Sequence, residues 1–305
     1  MNLTPAAAGR DAQTAPGFLP ALALGFNALV WGVSWWPFRE LQALGLHPLW
    51  ATVLVYAVAV LLIVATRRRA LGTLLRTPSL WLLMLASGTT NAAFNWAMVI
   101  GDVVRVVLLF YLMPLWTVLL SRLVLKEAFT PTAALRIALA LAGAFIVLKP
   151  AGAGVALPLP QSLPDWLALL GGFSFALNNV MLRHQAHRPE EARALAMFIG
   201  GVLVAGTLAT TLASQALMPW LPAPHTGWLL AVGALSLAFL ASNLALQYGA
   251  SRLPANVTSV VMLCEVVFAT LSAVALGAGT LTPTVLAGGA LILAAALLSA
   301  FENSR

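Results

Sequence analysis

The segments SGTTNAAFNW, residues 87–96, and FLASNLALQY, residues 239–248, stand 152 residues apart and carry polar side chains at matching places. Asn91, Asn95 and Trp96 fall on Asn243, Gln247 and Tyr248, and Thr130-Pro131 falls on Thr282-Pro283. Both segments sit inside long apolar stretches, where an amide without a partner is costly. A polar pattern kept in both halves therefore predicts two copies of one unit around a shared polar space.

Composition sets the solvent. Hydrophobic residues make up 61% of the 305 positions and charged residues 8%, against about 25% charged in a soluble domain. The chain reads as an integral membrane protein, and its net charge of +7 has a use there that does not involve nucleic acid. Ten apolar runs approach the roughly 20 residues of a membrane-spanning helix: 18–38, 47–65, 79–100, 102–124, 132–148, 164–184, 192–217, 226–249, 253–276 and 283–301. The first run is read as a retained helix, because it ends in Trp35-Trp36-Pro37-Phe38 and lacks a small-residue cleavage pattern. The connection from Lys149 to Pro164, rich in Gly, Ala and Pro, divides the chain into repeats at 18–150 and 164–301. With the N-terminus inside and alternating sides, 13 of the 16 basic residues fall on the inner face, leaving Arg39, Arg105 and Lys149 outside. Both termini are then cytoplasmic. Five helices per half make the second half enter from the opposite side, an inverted repeat.

Helical spacing orients the polar residues. Ser87, Asn91 and Asn95 follow i, i+4, i+8 in run 3, as do Asn27, Trp31 and Trp35 in run 1. Run 6 carries Ser174 and Asn178, with Phe175 and Asn179 on the adjacent row, and run 8 carries Asn243 and Gln247. Such stripes either line a cavity or bond helix to helix as glue. The cavity reading places runs 1, 3, 4, 6, 8 and 9 around it. Glu265, about halfway along run 9, is the one carboxylate deep within a run. It is a proton carrier, a partner for a substrate ammonium, or a protonated structural residue. Pro114 is expected to kink run 4, as a hinge or a static bend, whereas its shift mate Val266 is not, so the halves should bend differently. Trp31, Trp96, Tyr111, Trp116 and Tyr248 could offer stacking faces, while Trp36, Trp50, Trp81, Trp166 and Trp228 read as interface anchors. Asp102 and Arg105 either pair, meet a substrate carboxylate, or snorkel. Gly143, Gly171-Gly172, Gly200-Gly201 and Gly288-Gly289 are assigned to close helix packing. Cys264 is expected to be a buried, inert thiol.

No P-loop, no metal-site spacing among the four histidines and no protease arrangement is found, so neither catalytic residues nor metal or cofactor sites are expected. No Lys or Arg lies at mid-depth, which disfavours a phosphorylated solute.

The stretch from Asp102 through Arg105, Tyr111, Pro114 and Trp116 to Lys126-Glu127 resembles the EamA-type drug/metabolite transporters. Within them it is most similar to the branch that exports aromatic amino acids across bacterial inner membranes. The resemblance covers residues 18–301. The family's proline in helix 4, with an acid 13 residues on, is matched by Pro114 and Glu127, but the second half has Val266 and Gly279 at those places. The resemblance implies an all-α carrier of ten helices in two five-helix repeats, exporting aromatic and other amino acids by alternating access, driven by the substrate gradient or by protons. Efflux of cationic drugs such as methyl viologen, with Glu265 as the cation site, is the alternative within transport. A membrane enzyme or structural subunit is the alternative outside it. The apolar outer faces suit the lipid bilayer or a partner subunit equally.

Overall fold

A computed structural model describes residues 18–126, 130–148, 159–250, 252–253 and 261–302. Its described residues are helical, joined by turns. Run 1 forms α1 (Phe18–Val33) and α2 (Trp35–Ala43), and run 2 forms α3 (Pro48–Thr66). The following arginine-rich stretch, which falls between runs 2 and 3, is a short helix, α4 (Arg68–Leu75), bent by 104° from α5 (Pro78–Ile100). Ala70 and Leu74, one turn apart, pack against Leu80, Leu83 and Met181 while the arginines stay outside, which is why this segment folds. Run 4 is divided into α6 (Val103–Phe110), α7 (Met113–Leu120) and a π-helical turn at Ser121–Leu125. Then come α8 (Pro131–Leu148), α9 (Leu163–His184), α10 (Glu190–Ser214), α11 (Thr226–Ala250), α12 (Cys264–Ala275) and α13 (Pro283–Glu302). Glu127 and the 149–158 linker lie outside the described residues.

Among the described residues, five helices are long and apolar enough to cross a membrane: Leu19–Ala43, Pro48–Thr66, Val103–Leu125, Glu190–Ser214 and Thr226–Leu246. A sixth arises if α4 and α5 form one broken span, and shorter apolar helices occupy Pro131–Val147, Cys264–Ala275 and Pro283–Leu298. Leu61, Leu123 and Leu230 are each at least 69% exposed, as lipid-facing side chains are and core side chains are not.

The duplicated dipeptides become duplicated caps. The Thr130 hydroxyl accepts from the Ala133 amide at 3.1 Å and the Thr282 hydroxyl from the Val285 amide at 3.2 Å. Proline follows each threonine at the first helical position, where a missing N–H costs nothing. Helix packing repeats in the same way. α1 packs on α11 and α12, while α9, the first helix of the second half, packs on α5, α6 and α7. α5 packs on α10, and its mate α11 packs on α3; α8 and α13 pack on each other. Two of these contacts run backbone to backbone. Gly88 on α5 lies against the Gly200 carbonyl on α10, and Gly143 on α8 against the Gly288 carbonyl on α13. No side chain fits at either crossing.

Ordered chain ends meet at one end of the bundle. Arg39, late in α2, donates to the carbonyls of Met98 and Gly101 at the close of α5, at 3.2 and 2.6 Å. Gly101 in turn lies against Pro164 at the opening of α9.

Candidate functional site

Helices 1 and 9 of this scaffold, α1 and α9, face each other across a cavity of about 860 Å³, within the range of small-molecule sites. Its polar wall comprises Asn27 from α1, Ser87, Thr90 and Asn91 from α5, Asn178 and Asn179 from α9, Asn243 from α11 and Glu265 from α12. Its aromatic wall includes Trp31, Phe94, Phe110, Tyr111, Phe175 and Tyr248. The cavity reaches Glu190, Arg193 and Arg252 at one end of the bundle.

The amides are held in defined orientations. Asn27 donates its Nδ2 to the Ser242 carbonyl at 3.0 Å and hydroxyl at 2.6 Å, bridging α1 and α11. The Tyr56 hydroxyl donates to Asn91 Oδ1 at 2.8 Å, while Asn91 Nδ2 donates to the Ser87 carbonyl at 2.9 Å. Asn178 Nδ2 donates to Asn179 Oδ1 at 3.3 Å. The carbonyl oxygens of Asn27 and Asn178 are buried without a partner. The rings pack obliquely, Phe94 on Phe110 at 4.5 Å between centroids and Phe110 on Phe175 at 5.3 Å.

Two helix breaks deliver Tyr111 and Glu265 to the wall. Run 4 breaks at Tyr111-Leu112, just before Pro114, which has no N–H to donate to the Phe110 carbonyl and whose ring crowds that carbonyl. Run 9 breaks at Leu263, which the 152-residue shift pairs with Tyr111. The second break forms without a proline at the matching place, where Val266 stands. Glu265 accordingly stands in the first turn of α12 and not midway along an unbroken helix. The Tyr111 hydroxyl donates to Glu265 Oε2 at 3.4 Å. Broken helices that meet at mid-depth are where carriers place their solutes.

Several expected site residues lie elsewhere. Asn95, 2% exposed, is off the cavity wall and donates to the Thr52 hydroxyl at 3.0 Å, so it is helix glue between α5 and α3. Trp96 is also off the wall, its ring 5.5 Å from that of His47. Trp116 packs edge-on against Phe173 at 5.5 Å. The side chain of Gln247 lies outside the described residues. Trp50 and Trp228, expected as interface anchors, are buried and donate their indole N–H groups to the carbonyls of Pro219 and Ala223. Cys264 is exposed, not buried: as the first residue of α12 it points off the helix face that Val266 and Ala269 bury.

Other wall residues escaped the pattern. Tyr56 sits in run 2, which carries no amide stripe, and Phe198 and Met197 in run 7 look like ordinary apolar residues. One signal was available: the chain has only three tyrosines, and Tyr56, Tyr111 and Tyr248 all line the cavity. Replacing Asn95 by leucine should lower stability by about 1 kcal/mol and leave solute affinity unchanged, as read by thermal unfolding and by binding. A fall in affinity with unchanged melting would return Asn95 to the wall.

The opposite end of the bundle carries a network of charged and polar contacts. Arg105 on α6 forms a two-pronged ion pair with Asp165 on α9, Nε to Oδ1 at 2.7 Å and Nη2 to Oδ2 at 3.0 Å, and donates Nη1 to the Val147 carbonyl on α8 at 2.6 Å. Asp102 does not pair with the Arg105 guanidinium; its Oδ1 caps the Arg105 amide at 2.9 Å and its Oδ2 accepts from the Thr280 amide at 2.8 Å. Trp35 Nε1 donates to the Ser272 hydroxyl at 3.0 Å nearby.

The family model described as the EamA-like transporter family matches residues 19–149 and again residues 162–301. No curated protein matches. One solved crystal structure, described only as that of a protein, overlays with a TM-score of 0.57 at 18% identity, covering 94% of this chain and 97% of its own. That likeness is one of fold.

Proposed function

The chain belongs to the EamA-like transporter family, a multi-pass membrane protein built from two such repeats, and we propose that it exports amino acids, aromatic ones favoured, by alternating access through the central cavity. The single observation that carries the reading is that cavity, walled by amides from both repeats and by aromatic rings. An amino-acid zwitterion loses tens of kcal/mol of solvation in bare lipid in the Born limit. Oriented amide dipoles and a wet cavity remove most of that barrier. Aromatic faces add a preference of about 1 kcal/mol each, enough for bias and too little for strict selection.

In this reading ten helices cross a bacterial inner membrane as two five-helix repeats of opposite topology. The contacts among Arg39, Gly101 and Pro164 support it, because the first helix of one half ends where the first helix of the other begins. The arginine-rich end, where Arg193 and Arg252 reach the cavity, is the cytoplasmic one. The cavity is then open inward and tied shut outward. Glu265 on the wall keeps efflux of organic cations such as methyl viologen as the second reading.

Counterflow into liposomes tests this. Purified protein, preloaded with unlabelled phenylalanine, is expected to accumulate labelled phenylalanine above protein-free vesicles, and labelled threonine more weakly, with or without a pH gradient. Viologen accumulation without phenylalanine counterflow would replace the first reading by the second. No counterflow of any of the three would reject both.

A further inference from the structure

We propose that the inner part of this cavity is an ammonium site, in which the Glu265 carboxylate and the amide oxygens of Asn27 and Asn178 receive the protonated amine of the transported solute. The proposal rests on the transport reading above and adds the chemical group that the cavity selects.

It follows from counting donors and acceptors on the wall. The amide nitrogens of Asn27 and Asn91 each spend both donors, on the carbonyl and hydroxyl of Ser242 and of Ser87, and that of Asn178 spends one on Asn179. The phenols are spent as well, Tyr56 on Asn91 and Tyr111 on Glu265. What remains away from the mouth is chiefly acceptor capacity; the unmet donor on this lining, Arg193 Nε, stands at the mouth. Asn27 and Asn178 are 1% and 2% exposed, and each carries a buried carbonyl oxygen with no partner. Glu265 has one oxygen facing Tyr111 at 3.4 Å, a long bond for an O–H donor, and its second oxygen uncommitted. An unmet buried acceptor is an expensive feature to keep, and here Asn27 of α1 and Asn178 of α9 each keep one on the wall that Glu265 of α12 shares. A solute that supplies several N–H donors and a positive charge satisfies all of them; a carboxylate satisfies none. The rings of Trp31, Phe110 and Tyr111 on the same wall favour a cation by the same sign of charge. The arginines stand only at the mouth, so an amino acid would enter amine first, its carboxylate trailing toward Arg193.

Direct binding to the purified full chain in nanodiscs separates this from transport. Three probes share one ring and one chain length: phenethylamine, 2-phenylethanol and 3-phenylpropionate. Phenethylamine is expected to bind at least tenfold more tightly than the alcohol, and the carboxylate most weakly. Glu265→Gln should bring amine and alcohol within threefold of each other, and Glu265→Asp should restore part of the difference. Should Glu265→Gln not fold, Asn178→Leu is read instead, with loss expected for the amine alone. Equal binding of the three, tightest binding of the carboxylate, no binding at all, or an unchanged order in both Glu265→Gln and Asn178→Leu overturns the ammonium site. Phenylalanine counterflow can fail while the binding order holds, and the reverse, so the two proposals fall separately.

Discussion

Gly200→Ala is expected to remove most of the monodisperse protein from detergent extracts, although alanine is the better helix former. In an open helix position the exchange stabilises by up to about 1 kcal/mol. At Gly200 the added methyl would fall on the carbonyl of Met84, with the Gly88 amide beside it. Backbone atoms of α5 cannot swing aside as a side-chain end does, so the crossing of α5 and α10 must separate along its length. Overpacking of this kind costs about 1–3 kcal/mol where side chains can yield, and more is expected where they cannot. Gly206→Ala on the same helix is the control. Its methyl would meet only Val53 Cγ2, at 3.5 Å, and size-exclusion profiles should match the parent. A Gly200→Ala protein that elutes and melts like Gly206→Ala would show that the two helices are not locked by this contact.

Arg105→Ala carries the second large effect. The Asp165 side chain is 3% exposed, against 31% for its partner. Without the guanidinium it keeps the Gln161 amide, at 3.2 Å, and the neighbouring Ser162 hydroxyl. A carboxylate stranded in this way costs about 3–5 kcal/mol, which should appear as a large drop in Tm. Asp165→Asn should cost less, because Arg105 can turn to water and still bond the Val147 carbonyl. Replacing both residues by leucine should recover much of the loss, since a buried pair is worth little more than apolar packing of its volume. If Arg105→Ala melts with the parent, the pair is not what holds this end closed.

The sequence revealed what depends on periodicity. Amides four apart must share a helix face, so Asn91, Asn178 and Asn243 could be placed on a common cavity before any coordinates, and the paired Thr-Pro dipeptides marked the repeat. It did not reveal what depends on neighbours. Asn95 lies on the same face as Asn91, yet one turn along, Thr52 takes its amide, and spacing along α5 carries no information about α3. Asp165 reads as an ordinary acid near a helix start until Arg105, 60 residues away, is folded against it. The break at Leu263 has no proline three residues on to announce it, since Val266 stands where Pro114 does in the first half.

The tie at Arg105 also bears on the energetics of alternation. In a carrier made of two inverted copies, each copy adopts at one face the conformation its mate adopts at the other. The shift of 152 residues maps Arg105 onto Val257 and Asp165 onto Gln13, neither of which bears a charge. In the proposed alternating cycle, the reverse closure would lack an ion pair built from these two positions, and the two states would then differ in free energy. Each 1.4 kcal/mol of difference skews their populations tenfold. If the chain exports as proposed, such a bias holds its binding site toward the compartment it empties, and the solute's own binding must supply the energy that opens the far side.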